Sequence, residues 1–498
     1  MTSSLMAAGL VALGLAACGD NQSDGGEQAD APTTSTAATA AASGASPAPS
    51  STSLRPPTSE IKVSRAAQAP GFIFVAPKKV FGAKPRPIAE TGAEIIDPKG
   101  RVRWFRPNKG KNVAQDFRRQ TYKGKPVITY WYGRLSNGTG KGKAYILDES
   151  YKRIATVEAV GKDIEADFHD FVITEDDTAL LGSYRKTKAG DKPVVEGVQQ
   201  ELDIETNKVL TEWHSLDGVP PSDSYEPEGA RSASSFDYFH INSANLDDDG
   251  NIIVSARHTW AIYKIERKTG KLLWKLGGKD SDFKMGEGTQ FAWAHDAVPE
   301  GGGVYRIFDN VTGDKGAPTL GDASRVIRVK LDEKAGTVKL LSEQEHPDRI
   351  ATGTQANGQR LPNGNLFVGW GTSGVFSEFT PGGRMLFDAE LPSGLDTYRA
   401  YKSVWKGTPS GRPRVAAQRS GGRLRVEASW NGSTEVVRWR ARTGPSAKRL
   451  KATGGKARWT NLETRFSVPA GKARFVAVEA LDKRGKVLAT SAAKRVSR

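Results

Sequence analysis

The chain has 498 residues, with 72 Lys and Arg against 56 Asp and Glu for a formal charge of +16, and it holds a single cysteine. One cysteine excludes an intrachain disulfide framework, and the length exceeds what one small domain needs to bury a core. The positive excess is confined: from residue 409 onward 22 Lys and Arg face 5 Asp and Glu, or +17, which leaves 50 against 51, or −1, for everything before it.

In chain order, the first feature is an apolar run over residues 5–17 that ends Leu15-Ala16-Ala17-Cys18-Gly19. The run is too short to span a bilayer, and its end resembles the cleavage site of bacterial lipoproteins, so residues 1–18 are expected to be a signal segment with Cys18 lipidated. Residues 31–53 are all Ala, Pro, Thr, Ser or Gly, a composition that buries too little apolar surface to offset the entropy of ordering. Residues 19–68 are therefore expected to form a disordered tether, which at about fifty residues reaches roughly 40 Å. The protein is expected to be exported and anchored on the outer face of the cell membrane, a location that excludes nucleic acid as a partner.

Residues 69–407 contain an internal repeat. An apolar strand, an Asp or polar turn residue, a few more polar residues and a second apolar strand recur in six places. These are EIIDPKGRVRWF around Asp97, YILDESYKRIATVEA around Asp148, LDIETNKVLTEWH around Asp203, YKIERKTGKLLWKL around Arg267, VKLDEKAGTVKLL around Asp332 and SEFTPGGRMLFDAEL around Thr380. Earlier strands precede them, among them PVITYWYG, TALLGSY, NIIVSARH, GVYRIFDN and NLFVGWG. Period-2 alternation with β-branched and aromatic residues marks strands, and a repeat of this length predicts an all-β, six-bladed β-propeller with four-stranded blades around a central channel. A turn-rich stretch at residues 407–413 then leads into residues 409–498. This basic segment of short strands resembles an immunoglobulin- or fibronectin-type β-sandwich with Trp439 in its core. Its surface suits an anionic envelope polymer or lipid head groups.

Three of the six histidines share one phase of the repeat: His169 in DFHDF, His240 in DYFHINS and His295 in WAHDAV. One slot repeated around a ring lands at one radius, so these imidazoles are expected together at the channel mouth or wall. Thr354 falls in the corresponding slot of the next unit. Asn242 lies two residues after His240, hence on the same strand face, and Arg257 ends the strand that begins at Asn251. His258 is expected to point the other way, in a structural role, and His214 and His346 to lie on the surface. Asp170 and Asp296 are expected to orient the neighbouring histidines or local turns. Imidazoles with a guanidinium fork and an amide suit a tetrahedral oxyanion. Three imidazoles also match a zinc site with an open fourth position, but a guanidinium in the same pocket would repel a dication, so no metal and no cofactor are expected.

The segments DYFHINSANLDDDGNIIVSARHTWAIYKIERKTGKLLWKLGG and FAWAHDAVPEGGGVYRIFDN resemble the bacterial arylsulfotransferases that take sulfate from an aryl ester and not from a nucleotide. The likeness runs over residues 71–405 and is densest over residues 237–310. It implies a six-bladed propeller and a ping-pong transfer from an aryl sulfate donor to a phenolic acceptor. His295 is implied as the nucleophile that becomes sulfated, His240, Asn242 and Arg257 as binders of the sulfuryl oxygens, and His169 as an acid–base or binding group. Thr354 is matched to a pocket threonine of some members, and Phe239, Trp260 and Trp293 are candidates for stacking the aryl rings. One alternative is a non-catalytic propeller lipoprotein that binds an anionic envelope ligand or assembles a complex. Another is a quinone-cofactor dehydrogenase propeller, suggested only by a Gly-x-Leu-x-Trp turn pattern.

Overall fold

The computed structural model describes residues 50–80, 90–229, 235–313 and 316–497. Cys18, the apolar run over residues 5–17 and the first part of the expected tether lie outside the described residues. The rest is all-β, built mainly from antiparallel sheets of four or five strands. One unit shows the plan: Ile241–Leu246, Ile252–Ala256, Ala261–Ile265 and Leu272–Gly277 pair in sequence as a meander. The repeated aspartates stand between the third and fourth strands, where their carboxylates accept main-chain N–H groups. Asp97 Oδ1 takes Lys99 N at 3.0 Å, Asp148 Oδ1 takes Ser150 N at 2.9 Å, and Asp203 Oδ1 takes Thr206 N at 2.8 Å. These Asx turns are the reason Asp recurs at this phase.

The two ends of this body interlock. Glu60–Ser64 pairs with Met385–Glu390, and Phe72–Val75 sits between Gly92–Ile96 and Ala400–Ser403. The sequence reading ran the tether through residue 68; instead Glu60–Ser64 is a strand, because Ile61 packs on the core around Phe376 and Phe387 while the strand covers an otherwise open edge. A fully buried ion pair locks the seam. Lys402 Nζ meets Glu378 Oε2 at 2.6 Å, and the same carboxylate accepts Ala69 N and Asn365 Nδ2, each at 2.6 Å.

The inner, first strands of the units follow one another around a ring: Val113–Tyr122, Ala166–Ile173, Ile241–Leu246 and Asp296–Gly301 touch in turn, Asn357–Arg360 meets Val304–Asp309 and Ala400–Ser403, and Ala400–Ser403 returns to the first. This closed ring of sheets is a β-propeller. Neighbouring inner strands splay too far apart to form a main-chain ladder, so side chains bridge them. Gln120 Oε1 accepts Ile173 N at 2.9 Å, Asp170 Oδ2 accepts Ala244 N at 3.1 Å, and Ser243 Oγ accepts Ala297 N at 3.0 Å. Asp296 Oδ2 accepts Gly358 N at 3.1 Å, Gln359 Oε1 accepts Lys402 N at 2.7 Å, and Tyr401 donates its hydroxyl to Asp116 Oδ1 at 3.1 Å. Asp170 and Asp296 thus hold the ring together and do not orient the histidines, as the sequence had suggested.

Arg399, fully buried, sits among those carboxylates. Its NH1 donates to Asp170 Oδ1 at 2.9 Å and lies 3.5 Å from Asp116, and its NH2 lies 3.8 Å from Asp296. The same NH2 donates to the main-chain oxygens of Asn242 and His295 at 2.9 and 3.0 Å. Burial pushes Asp116 and Asp296 up from the ordinary carboxylate value. Burial acts on Asp170 too, but Arg399 and Arg118 outweigh it and hold that group below the ordinary value.

Residues beyond 413 form two further sheets that share one core around Trp439. They cap the exposed edge of Val102–Pro107: Asn431 Oδ1 accepts Phe105 N and Asn461 Oδ1 accepts Val102 N, both at 2.8 Å, while Arg103 lies 3.3 Å over the Trp459 ring. Arg399→Met is expected to lower unfolding free energy by about 3–5 kcal/mol, because it strips the counter-charge from buried carboxylates. Arg399→Lys should cost less, keeping the charge but losing the fork; urea titration of the two variants measures both.

Candidate active site

Three of the backbone positions that carry the site adopt a left-handed conformation, with φ of 61° at His240, 53° at Trp260 and 57° at Trp293. Such torsions cost bulky residues of the order of 1–3 kcal/mol each, so the surrounding packing must hold them. His240 and Trp293 stand just before the inner strands Ile241–Leu246 and Asp296–Gly301, whereas Trp260 stands in the turn before Ala261–Ile265.

His169 and His240 face each other, Nε2 to Nε2, at 3.2 Å. The Nδ1 of His240 lies 2.6 Å from Asp237 Oδ2, and that of His169 bonds the carboxylate of Asp167. Carboxylates only accept, so both Nδ1 atoms carry protons, and the contact between the two Nε2 atoms requires one more proton shared by the pair. Tyr184 borders this pair, donating to Ile241 O at 2.7 Å with its oxygen 3.3 Å from His169 Nδ1.

His295 is set differently. Its Nδ1 faces two carbonyl oxygens, Trp293 O at 2.9 Å and Asn310 Oδ1 at 2.8 Å. The amide of Asn310 is itself fixed, since its Nδ2 donates to Thr352 O at 2.7 Å. Two acceptors at Nδ1 place the proton there and leave the Nε2 lone pair open for reaction. Burial, then the charges of Arg257 and His169, hold the imidazole well below its ordinary pKa, against the opposing bond from Asn310. It is therefore neutral at physiological pH.

Arg257 is buried beside this group, its guanidinium 4.8 Å over the Trp293 ring. NH2 donates to Gly353 O at 3.1 Å and NH1 to His258 Nε2 at 2.8 Å, while His258 Nδ1 donates to Asp237 O at 2.6 Å. His258, expected to point away, instead stacks on His240 with ring centroids 4.7 Å apart and orients the arginine. The bend after Ala256 breaks the alternation on which that expectation rested. Asp237, His240 and His258 offer donor atoms within 4.8 Å of one another. The imidazole nitrogens and Asp237 Oδ2 already serve hydrogen bonds, and a cation there would meet Arg257.

Asn242 is fully buried and donates to Ala294 O at 2.9 Å, so it supports the backbone beside His295. Thr354 is half-buried in the loop whose Gly353 carbonyl receives Arg257, and its own carbonyl accepts the Thr352 hydroxyl at 3.0 Å. Trp260 stacks on Tyr225 at 3.8 Å and abuts Trp293, whereas Phe239 belongs to the core with Trp213 and Tyr263. His346, expected at the surface, is buried in a chain running from Trp370 through Ser377 and Asp388. His214 is half-buried between Glu196 and Glu212. A cavity of about 740 Å³ opens beside the histidine pair, with Tyr184, Phe236, Asp237, Glu226, Lys141 and Lys186 in its walls.

Asp167, Asp237, Asn310 and Arg399 escaped the sequence reading. Asp167 and Asp237 had a local signal, lying two and three residues before their histidines. Asn310 closes the same segment as His295, 15 residues on, with nothing to mark it as a partner, and Arg399 stands 104 residues away.

A family model described as Arylsulfotransferase (ASST) matches residues 118–391. No curated protein matches the chain. Among solved structures, a protein of unknown function from Bacteroides caccae is 12% identical, with 67% of this chain and 99% of that one aligned at a TM-score of 0.42. A virginiamycin B lyase from Staphylococcus aureus is 10% identical over 74% of this chain and 96% of its own, at 0.30. The β-propeller domain of Cps50 (Swd1) from Myceliophteria thermophila is 9% identical over 65% and 95%, at 0.33.

The depressed pKa of His295 has a consequence for stability. As pH falls through 6.5 the unfolded imidazole takes up a proton while the buried one does not, so stability is lost on the acid side. The loss from this group is at most about 1.4 kcal/mol per pH unit. His295→Gln is expected to flatten the stability profile just below pH 6.5. Denaturation across that range checks it, and an unchanged slope would contradict the assignment of a neutral imidazole.

Proposed function

Because this chain belongs to the arylsulfotransferase family, we propose that it carries a sulfuryl group from a phenolic sulfate donor to a phenolic acceptor through a sulfohistidine formed on His295. The observation that carries this reading is the double carbonyl contact at His295 Nδ1, which presents a neutral nitrogen with its lone pair outward.

In the first half-reaction, the Nε2 lone pair forms an N–S bond and the bond from sulfur to the aryl oxygen breaks. The departing phenolate takes the proton held between His169 and His240, an acid–base contribution worth roughly 10²–10⁴-fold. In the second, an incoming phenol returns a proton to that pair, its oxygen forms a bond to sulfur, and the N–S bond breaks. Arg257, aimed by His258 and Gly353, offsets the charge that grows on the sulfuryl oxygens. The Thr354 hydroxyl supplies a further donor, and Asn242 keeps the His295 backbone in place. The scheme uses no cofactor.

The six inner strands are read as six blades of a catalytic unit over residues 69–407, and residues 409–498 as an immunoglobulin- or fibronectin-like sandwich. Lipidation at Cys18 would hold both on the outer face of the membrane. His295→Ala is expected to abolish transfer from a chromogenic aryl sulfate without changing the thermal midpoint, and a retained rate would overturn the proposal. Mass spectrometry after donor exposure should find one SO₃ on a histidine of the native protein and none on the variant. Asn310→Ala frees the wrong tautomer of His295 and should lower kcat roughly 10²-fold, with KM little changed; steady-state kinetics measure it.

A further inference from the structure

The larger sheet beyond residue 413 places like charges where a sheet ordinarily avoids them. Trp439 and Ala441 point into the shared core, so Arg438, Arg440 and Arg442 point outward by alternation. Across the ladder Arg438 stands directly opposite Arg458, and Arg440 opposite Lys456. Like charges in facing positions destabilise a sheet.

The compensation is partial. Glu479 accepts Arg442 NH1 at 2.8 Å and Arg440 Nε at 2.5 Å, and Arg442 NH2 donates to Leu450 O at 3.0 Å. The adjacent turn adds exposed Lys483, Arg484 and Lys486, and Lys456 Nζ reaches that turn beside Gly485. Asp482 is occupied within the turn, accepting the main-chain N–H of Arg484 and of Lys486 at 2.9 and 2.8 Å.

We propose that this stripe binds a linear polyanion of the saccharide or polyol class, bearing sulfate or phosphate groups along its length. Two residues of strand advance about 6.7 Å, so Arg438, Arg440 and Arg442 form a straight row of donors at that repeat. The facing Lys456 and Arg458 make a second row beside it. Two adjacent rows fit one extended chain. No aromatic side chain is interleaved among the cations, as a single-stranded nucleic acid would need for its bases. The apolar residues that face Arg438 and Arg442 across the other ladder, Leu481 and Ala477, are buried and offer nothing to enter a bilayer. The repulsion stored in the facing pairs is relieved when the anion arrives. This proposal does not depend on the transfer reaction.

The test uses the full chain and fluorescently labelled dextran sulfate. Arg438→Glu combined with Lys456→Glu places a carboxylate opposite Arg458 and another opposite Arg440. The variant is expected to bind at least about tenfold more weakly, from lost charge pairing, and to keep or raise its thermal midpoint. Arg423→Glu with Arg425→Glu makes the same charge change on the outer face of the other sheet, and should weaken binding less than about twofold if the stripe is the site. Equal weakening by both pairs would overturn the proposal, as would a lower midpoint with unchanged binding. Native protein that binds phosphatidylglycerol vesicles or oligothymidylate as tightly as the glycan would overturn it too.

Discussion

A ring of splayed sheets faces one constraint that an ordinary sheet does not: its innermost strands diverge, and their main-chain groups need partners that no neighbouring strand can reach. Here the partners are side chains, and several of them are buried carboxylates. Acceptors of that kind leave negative charge in a dry interior, which is costly unless a cation is fixed among them. With Arg118 standing against Asp116 and Asp170, the fully buried cation is Arg399. Because its second nitrogen also binds the carbonyls of Asn242 and His295, the group that neutralises the ring also fixes the backbone at those two residues.

The site is then a problem in proton placement. Carboxylates on Nδ1 prepare His169 and His240 to share a proton, whereas carbonyls on Nδ1 prepare His295 to offer a lone pair. Three chemically identical side chains take two roles according to what stands behind them. His258 shows a third setting, in which a main-chain oxygen fixes the tautomer and the remaining nitrogen steers a guanidinium.

How much of this could be read from residues alone depended on distance along the chain. The strands, the aspartate turns and the shared phase of His169, His240 and His295 are local or periodic, and they were legible. The support behind His295 was not. Asn310 reaches it across the hairpin that pairs Asp296–Gly301 with Val304–Asp309, and Arg399 reaches it only through ring closure, 104 residues away. Asp170 and Asp296 were misread because adjacency in sequence suggested service to the histidines, while strand alternation turned them to the opposite side. Alternation also misled for His258, where the strand ends and the chain bends. Residues 60–64 were assigned to the tether because the low-complexity stretch before them carried the reading past its own end, although EIKVS already alternates.

The interlocked termini bear on how the molecule comes to exist. Glu60–Ser64 finds its partner in Met385–Glu390, and Phe72–Val75, paired on one side with Gly92–Ile96, finds its other partner in Ala400–Ser403, each more than 300 residues away. A nascent chain has translated nearly the whole body before its opening strands can be satisfied, and loop-closure entropy makes such remote pairing slow. Until then those edges stay unpaired and open to other chains. Once closed, the ring gives an unfolding chain no free blade at which to begin, so the late clasp that burdens biosynthesis also favours a long-lived native state.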